Sequence, residues 1–178
     1  FIPVGLSMGG YVAAELARLA PERLDGMALL STGPHAHEER QKRIRRELVR
    51  MSTMGKFKGV TPRLLPRFLS PAALQNETLA SAVMAMGEAV GQHNFALQQE
   101  AIMNRREQMG TLAQFHKPSL VLCGDLDELT PPELAHEMAG VLRVAELVIL
   151  PDVGHLSAME APDEVTAALL RLIDRIAT

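Results

Sequence analysis

The apolar residues of the chain form short continuous runs that alternate with longer stretches of helical periodicity. The runs cover positions 1–4, 27–30, 119–123 and 147–150. Short runs without polar residues are typical of strands that are buried on both faces, as in parallel sheets. Strands that alternate with helices predict an α/β fold, in which helices cover both faces of a parallel sheet.

Helical periodicity is clearest behind the first run and at the end of the chain. Val12, Leu16 and Leu19 recur on one face of a helix that ends before Pro21. The Thr-Pro-Pro-Glu sequence at 130–133 has the order of an N-cap threonine, a first-turn proline and a capping-box glutamate, which predicts another helix start. The last helix carries an apolar stripe formed by Val165, Leu169, Leu172, Ile173 and Ile176.

Residues 36–116 contain no apolar run of the strand type. Their periodicity predicts helices and a proline-broken stretch, with bounds near 37–54, 61–71 and 76–109. This is longer than a crossover between two parallel strands requires, so we interpret it as an inserted helical cap. The predicted division is a core of residues 1–35 and 117–178 and a cap of residues 36–116.

A motif for a nucleophilic serine follows the first run. The sequence Gly-Leu-Ser-Met-Gly at 5–9 matches G-x-S-x-G between a predicted strand and a predicted helix. Such a turn strains the backbone, and the flanking glycines leave room for it. The helix behind Ser7 directs backbone N–H groups, with their partial positive charge, at a developing oxyanion. Ser7 is therefore the candidate nucleophile, and the Met8 N–H is the candidate oxyanion donor.

A serine nucleophile needs a base, and histidine is the usual one. His155 follows the fourth run, so it lies at the same edge of the predicted sheet as Ser7, where such sheets build their sites. His35 and His37 follow the second run and are the alternatives. A His-x-His pair without a nearby group of carboxylates is a weak metal site. We therefore favour His155 as the base and predict no metal.

The loop after the third run supplies the acid that a catalytic histidine requires. It contains Asp125, Asp127 and Glu128, again at the edge that holds Ser7. We favour Asp127 over Asp125, and Glu128 is the third carboxylate in this loop. The resulting chain order is serine, aspartate, histidine, which is one of the known orders of such triads.

Three sequences together resemble the α/β-hydrolase superfamily: 5–10, the G-x-x-D of 124–127 with the following Thr-Pro-Pro, and Gly-His-Leu at 154–156. The likeness is greatest to small, capped carboxylesterases, enol-lactonases and C–C-bond hydrolases. It implies a serine hydrolase that cleaves a carboxylic ester or lactone through an acyl-enzyme and uses no cofactor. Other Ser-His-Asp chemistry (C–C hydrolysis, perhydrolysis or acyl transfer) is the alternative. Haloalkane dehalogenation is disfavoured, because it uses an aspartate at the position of Ser7.

The same resemblance implies that strands normally preceding the serine motif are missing, with the loop that supplies a second oxyanion donor. We therefore expect a preceding N-terminal segment, or a homo-oligomer, to complete the sheet. An inactive fragment without the N-terminal half is the alternative to an active hydrolase.

Composition limits the other functional classes. A net charge of −3 provides no overall attraction to nucleic acid, and no apolar run reaches the ~18 residues of a membrane helix. The single Cys123 ends an apolar run, which favours a buried, inert thiol and a cytoplasmic protein. The basic residues within 40–50 alternate with glutamates and with apolar residues at helical spacing, so we interpret them as the solvated face of a cap helix.

Overall fold

The computed structural model describes residues 1–54 and 56–177. Within these residues, four parallel strands form one sheet whose order follows the sequence. The strands are β1 Val4–Leu6, β2 Met27–Leu30, β3 Ser119–Gly124 and β4 Ala145–Leu150. The helices are α1 Met8–Leu19, α2 Glu39–Ser52, α3 Glu77–Met103, α4 Met109–Ala113, α5 Pro132–Val141, α6 Ser157–Glu160 and α7 Pro162–Ala177.

Helices cover both faces of the sheet, as the sequence predicts. Helices α1, α4 and α5 pack on the face that includes Leu29, Val121 and Cys123. Helix α7 packs on the opposite face, against Leu120 and Leu122. Every residue of β3 is buried, which explains why this strand appears in the sequence as a continuous apolar run.

Helix α1 contacts the sheet mainly through its small residues, and of its predicted apolar stripe only Leu16 packs against this core. Ala13, Ala14 and Ala17 are buried, whereas Val12 is 52% and Leu19 62% exposed. Small side chains let the helix lie close to the strands. A Cβ added at Gly10 would lie 2.5 Å from the Thr32 side chain. The periodicity therefore predicted the helix correctly but did not indicate its buried face.

Two local predictions were wrong. The first strand begins at Val4 instead of Phe1, and β1 pairs with β2 at the edge of the sheet described here. Helix α5 begins at Pro132 with Pro131 as its N-cap and has no side-chain cap. Thr130 does not cap it, because the Thr130 hydroxyl donates to the Asp127 carboxylate instead.

The long connection between β2 and β3 contains α2, α3 and α4, with no strand among its described residues. Its two arms meet where the Gln108 N–H donates to the Pro34 carbonyl at 2.9 Å. Beyond this point Leu112 and Phe115 pack with the residues on the sheet. Helix α3 is kinked at Gly91, which has a φ of 74°. No helix in the described part of the chain is long and apolar enough to cross a membrane.

Candidate active site

Ser7 occupies a strained turn between β1 and α1. Its φ of 54° and ψ of −113° lie outside the regions that a side chain normally allows. The Ser7 N–H donates to the Leu30 carbonyl, and the Ser7 carbonyl accepts the Thr32 hydroxyl at 2.7 Å. A Cβ added at Gly5 would lie 2.1 Å from the Gly9 carbonyl oxygen. The turn therefore requires glycine at position 5 for steric reasons.

The second glycine of the motif is not crowded in the same way. A Cβ added at Gly9 would meet nothing within 4 Å. The predicted need for glycine on both sides of Ser7 is thus correct only for Gly5.

Met8 is the first residue of α1, so its N–H belongs to the turn in which helical N–H groups have no partner inside the helix.

His155 lies beside Ser7 in the loop after β4. Its side chain is buried, with 3% exposure, and its Nε2 is 2.9 Å from the Ser7 Oγ. The Phe68 ring packs edge-on against the imidazole, with 6.2 Å between the ring centroids. The Leu156 N–H donates to the Phe68 carbonyl. The connection between β2 and β3 therefore helps to hold the histidine loop.

Asp127 holds the other nitrogen of the histidine. The Nδ1 of His155 is 2.9 Å from both Asp127 oxygens. The N–H groups of Leu129 and Thr130 also donate to Asp127, as does the Thr130 hydroxyl. Burial alone raises the pKa of Asp127, but the hydrogen bond and charge of His155, with the Thr130 donors, outweigh it and lower the pKa. Asp125 and Glu128 are exposed.

A further carboxylate, which the sequence analysis missed, supports the histidine loop. The Oε2 of Glu160 accepts the N–H groups of Gly154 and Ser70, at 3.1 and 2.9 Å. Its Oε1 is buried and has no partner within the described chain. Glu160 thus links the loop of His155 to the segment between β2 and β3. Its only sequence signal is an acid placed five residues after the histidine.

The alternative histidines do not contact Ser7. His35 is exposed and lies between Glu137 and Glu107, with its Nε2 2.6 Å from Glu137. The hydrogen bond that His35 donates to Glu137 is the main cause that raises the pKa of His35. His37 lies between Arg45 and Arg105. Among the residues that the structure covers, no group of three or more His, Cys, Asp or Glu side chains is arranged to hold a metal ion.

Cys123 lies beneath this site at the end of β3. Its thiol is buried and 3.9 Å from the Asp127 Oδ2. Burial, followed by the nearby charge of Asp127, raises the pKa of Cys123 to about 12. The thiol is therefore protonated and unreactive at neutral pH.

Comparison with known proteins supports one family. The model of the alpha/beta hydrolase family matches residues 1–168. A pimeloyl-[acyl-carrier protein] methyl ester esterase from Photobacterium profundum is 24% identical over 93% of this chain and 67% of its own length. A putative non-heme bromoperoxidase, BpoC, from Mycobacterium tuberculosis is 27% identical over 94% of this chain and 66% of its own.

A solved structure covers the whole chain. The malate-bound structure of a thermophilic esterase from Thermogutta terrifontis superposes with a TM-score of 0.93 and 28% identity, over 100% of this chain and 66% of that one. The present chain therefore spans about two thirds of the length of these relatives.

Proposed function

This chain belongs to the alpha/beta hydrolase family, and we propose that it is a serine hydrolase that cleaves a carboxylic ester or lactone through an acyl-enzyme. One observation carries the proposal. An unbroken series of contacts runs from the Ser7 hydroxyl through both nitrogens of His155 to Asp127, and each contact is 2.9 Å long. Hydroxyl, imidazole and carboxylate in this order activate a serine for attack on a carbonyl carbon.

The reaction begins with the Ser7 Oγ. It attacks the substrate carbonyl while the Nε2 of His155 takes its proton, and the Met8 N–H donates to the oxyanion. Collapse of this intermediate breaks the carbon–oxygen bond, His155 returns the proton to the leaving alcohol, and the acyl group stays on Ser7. In the second half of the cycle, a water molecule that His155 deprotonates attacks the acyl group. His155 then returns the proton to the Ser7 Oγ, and the carboxylic acid product is released.

Asp127 orients the histidine and stabilises its charged form. Because the pKa of Asp127 is lowered, its carboxylate is ionised at neutral pH. An ionised carboxylate only accepts hydrogen bonds, so the Nδ1 of His155 carries the proton and Nε2 is left free as the base. Four donors, including His155, hold the carboxylate in place.

We also propose that the helical segment within residues 36–116 acts as a cap over Ser7. The contact between Phe68 and His155 and the bond from Ser70 to Glu160 support this role. A small apolar cluster of the segment, centred on Leu65 and Leu69, packs against Leu156. The segment is thus in direct contact with the loop that holds the base.

The proposed nucleophile is tested by labelling with a fluorophosphonate, which reacts with activated serines. We expect the wild-type protein to be labelled and Ser7→Ala to remain unlabelled. Ser81→Ala, which removes an exposed hydroxyl on α3, is the matched control and should label like the wild type. Equal labelling of Ser7→Ala and the wild type would refute the serine mechanism.

A further inference from the structure

Two arginines come together where the segment between β2 and β3 meets α1. Arg45 lies on α2, and Arg105 follows the end of α3. Both arginines are half-buried. The interpretation of the basic residues within 40–50 as a solvated face is therefore wrong for Arg45. The Arg105 guanidinium stacks on the ring of Tyr11, with 4.0 Å between its central carbon and the ring centroid. The phenol of Tyr11 is close enough to act on the pKa of both arginines.

The two guanidiniums share one histidine that cannot satisfy both. The Arg45 Nε lies 3.2 Å from the Nδ1 of His37, and an Arg105 terminal nitrogen lies 3.1 Å from its Nε2. Guanidinium nitrogens only donate, and a neutral imidazole has a single acceptor nitrogen. Burial, and then the charges of Arg105 and Arg45, lower the pKa of His37 to about 4. In one of the two contacts, therefore, two donors face each other and no hydrogen bond forms.

No acidic side chain neutralises the pair. Neither guanidinium forms a salt bridge within the described chain, and the other side-chain partner of Arg45 is the neutral Gln99. Glu107 acts on Arg105 only through its charge. Its carboxylate instead accepts the Ala36 N–H and contacts His35. Half-buried cations without a paired anion are costly, and an anion that reaches both relieves that cost.

A cavity beside Arg105 also touches Met8, the residue that follows the proposed nucleophile. Tyr11 follows Ser7 by one turn of α1, which corresponds to ~6 Å along the helix axis. This cavity of ≈ 410 Å³ is lined by Met8, Tyr11 and Arg105, with apolar residues such as Val12 and Ile102 in its wall. The cavity therefore extends from Met8, the proposed oxyanion donor, to one of the two guanidiniums; Glu15, which is paired with Arg18, also lines it.

We propose that Arg45, Arg105 and Tyr11 bind a carboxylate of the substrate, which makes the preferred substrate a monoester of a short dicarboxylic acid. The planar fork of arginine matches a carboxylate in shape and charge. This inference rests on the proposed function, because the ester bond is the one that Ser7 attacks. Hydrolysis adds water and releases the dicarboxylic acid and an alcohol.

The test compares two esters of similar length that differ in charge, the mono-p-nitrophenyl ester of glutaric acid and p-nitrophenyl pentanoate. In the full chain we expect kcat/KM to favour the glutarate ester by about tenfold or more, as for a charge-assisted contact. Arg105→Gln and Arg45→Gln should each abolish most of this preference, mainly through KM. Arg43→Gln, on the exposed side of α2, is the control and should keep it. A wild type without the preference, or variants that keep it, would overturn the proposal.

A second variant covers the case in which Arg105→Gln does not fold. Arg105→Lys keeps the charge but loses the fork, so its preference for the glutarate ester should lie between those of the wild type and of a protein without the site. A preference equal to that of the wild type would show that the fork is not used, and would also overturn the proposal.

A binding measurement separates this inference from the proposed function. Calorimetry on Ser7→Ala, which requires no turnover, should detect saturable binding of glutarate that is lost in the Ser7→Ala/Arg105→Gln double variant. If glutarate binds but no ester is hydrolysed, the proposed function fails and the carboxylate site stands. If glutarate does not bind, or if inorganic phosphate displaces it at equal concentration, the carboxylate site fails whatever the fate of the ester.

Discussion

Asp127→Asn removes the charge behind His155 while it keeps the size of the side chain. The asparagine oxygen can still accept the N–H groups of Leu129 and Thr130, which both donate to Oδ1 in the wild type. The amide NH₂ then replaces Oδ2, and it faces the Thr130 hydroxyl and the Nδ1 of His155. Nδ1 is 2.9 Å from both positions, but Oδ1 already accepts two N–H groups. Because the NH₂ only donates, Nδ1 becomes the acceptor, and the proton of the imidazole moves to Nε2.

This change of tautomer disables the proposed base. An Nε2 that carries a proton points it at the Ser7 Oγ, 2.9 Å away, and can no longer remove the serine proton. The equivalent substitution in a Ser-His-Asp protease lowers kcat by about 10⁴-fold, which corresponds to about 5.4 kcal/mol in the activation free energy. We expect a loss of the same order here. Because the substitution keeps two of the four donors satisfied, the variant should still fold.

The assay is steady-state hydrolysis of a p-nitrophenyl ester at neutral pH by the full chain. Circular dichroism and thermal unfolding establish that the variant is folded. Asp125→Asn is the matched control, because Asp125 lies two residues away and is exposed; it should retain most of the activity. If Asp127→Asn keeps kcat within tenfold of the wild type, or if Asp125→Asn is the more damaged variant, Asp127 is not the acid.

Three further predictions follow from packing, hydrogen bonding and charge. Gly5→Ala should lower the free energy of unfolding by ~1–3 kcal/mol or more, because its Cβ has no space; Gly9→Ala is the uncrowded control, and equal loss in urea unfolding would contradict the steric argument. Glu160→Ala should cost ~1–3 kcal/mol for each of the two N–H groups it leaves unpaired, whereas Glu160→Gln can still accept both; equal stability of the two variants would contradict this. The folded-state pKa of His37 is lowered to about 4. At pH values between about 6.5 and 4 the unfolded chain therefore binds a proton that the folded chain does not, and the stability falls as the pH falls. His37→Gln should therefore reduce the loss of stability across this range in denaturant titrations at several pH values, and an unchanged loss would disprove the linkage.

The position of each triad candidate could be predicted because each depends on local sequence and on one rule of topology. Ser7, Asp127 and His155 each follow a strand, and parallel strands bring their carboxyl ends to the same edge of the sheet. A run of apolar residues is enough to locate such a strand. The contacts of Ser7 with His155 and of His155 with Asp127 therefore arise from elements that the sequence marks plainly.

The features that sequence analysis missed depend on contacts between distant residues. Glu160 accepts the Ser70 N–H across 90 positions, and no local pattern indicates this pairing. Arg45 has the sequence context of a solvated helix face, and its contact with Gln99, 54 positions away, could not be read from that context. The buried face of α1 was missed for another reason, since close packing favours alanine where a hydrophobicity pattern favours Val12 and Leu19.

The bond between Gln108 and Pro34 has a consequence for how this protein can diversify. Because the connecting segment leaves and rejoins the core at one point, it can be exchanged for a segment of another length without shifting a strand, by recombination in nature or by grafting in the laboratory. Such an exchange is restricted at Phe68 and Ser70, whose backbone groups hold the loop of His155. A transplanted segment that lacks an equivalent turn would leave the loop of the proposed base unsupported. Active chimaeras should therefore retain residues 65–70.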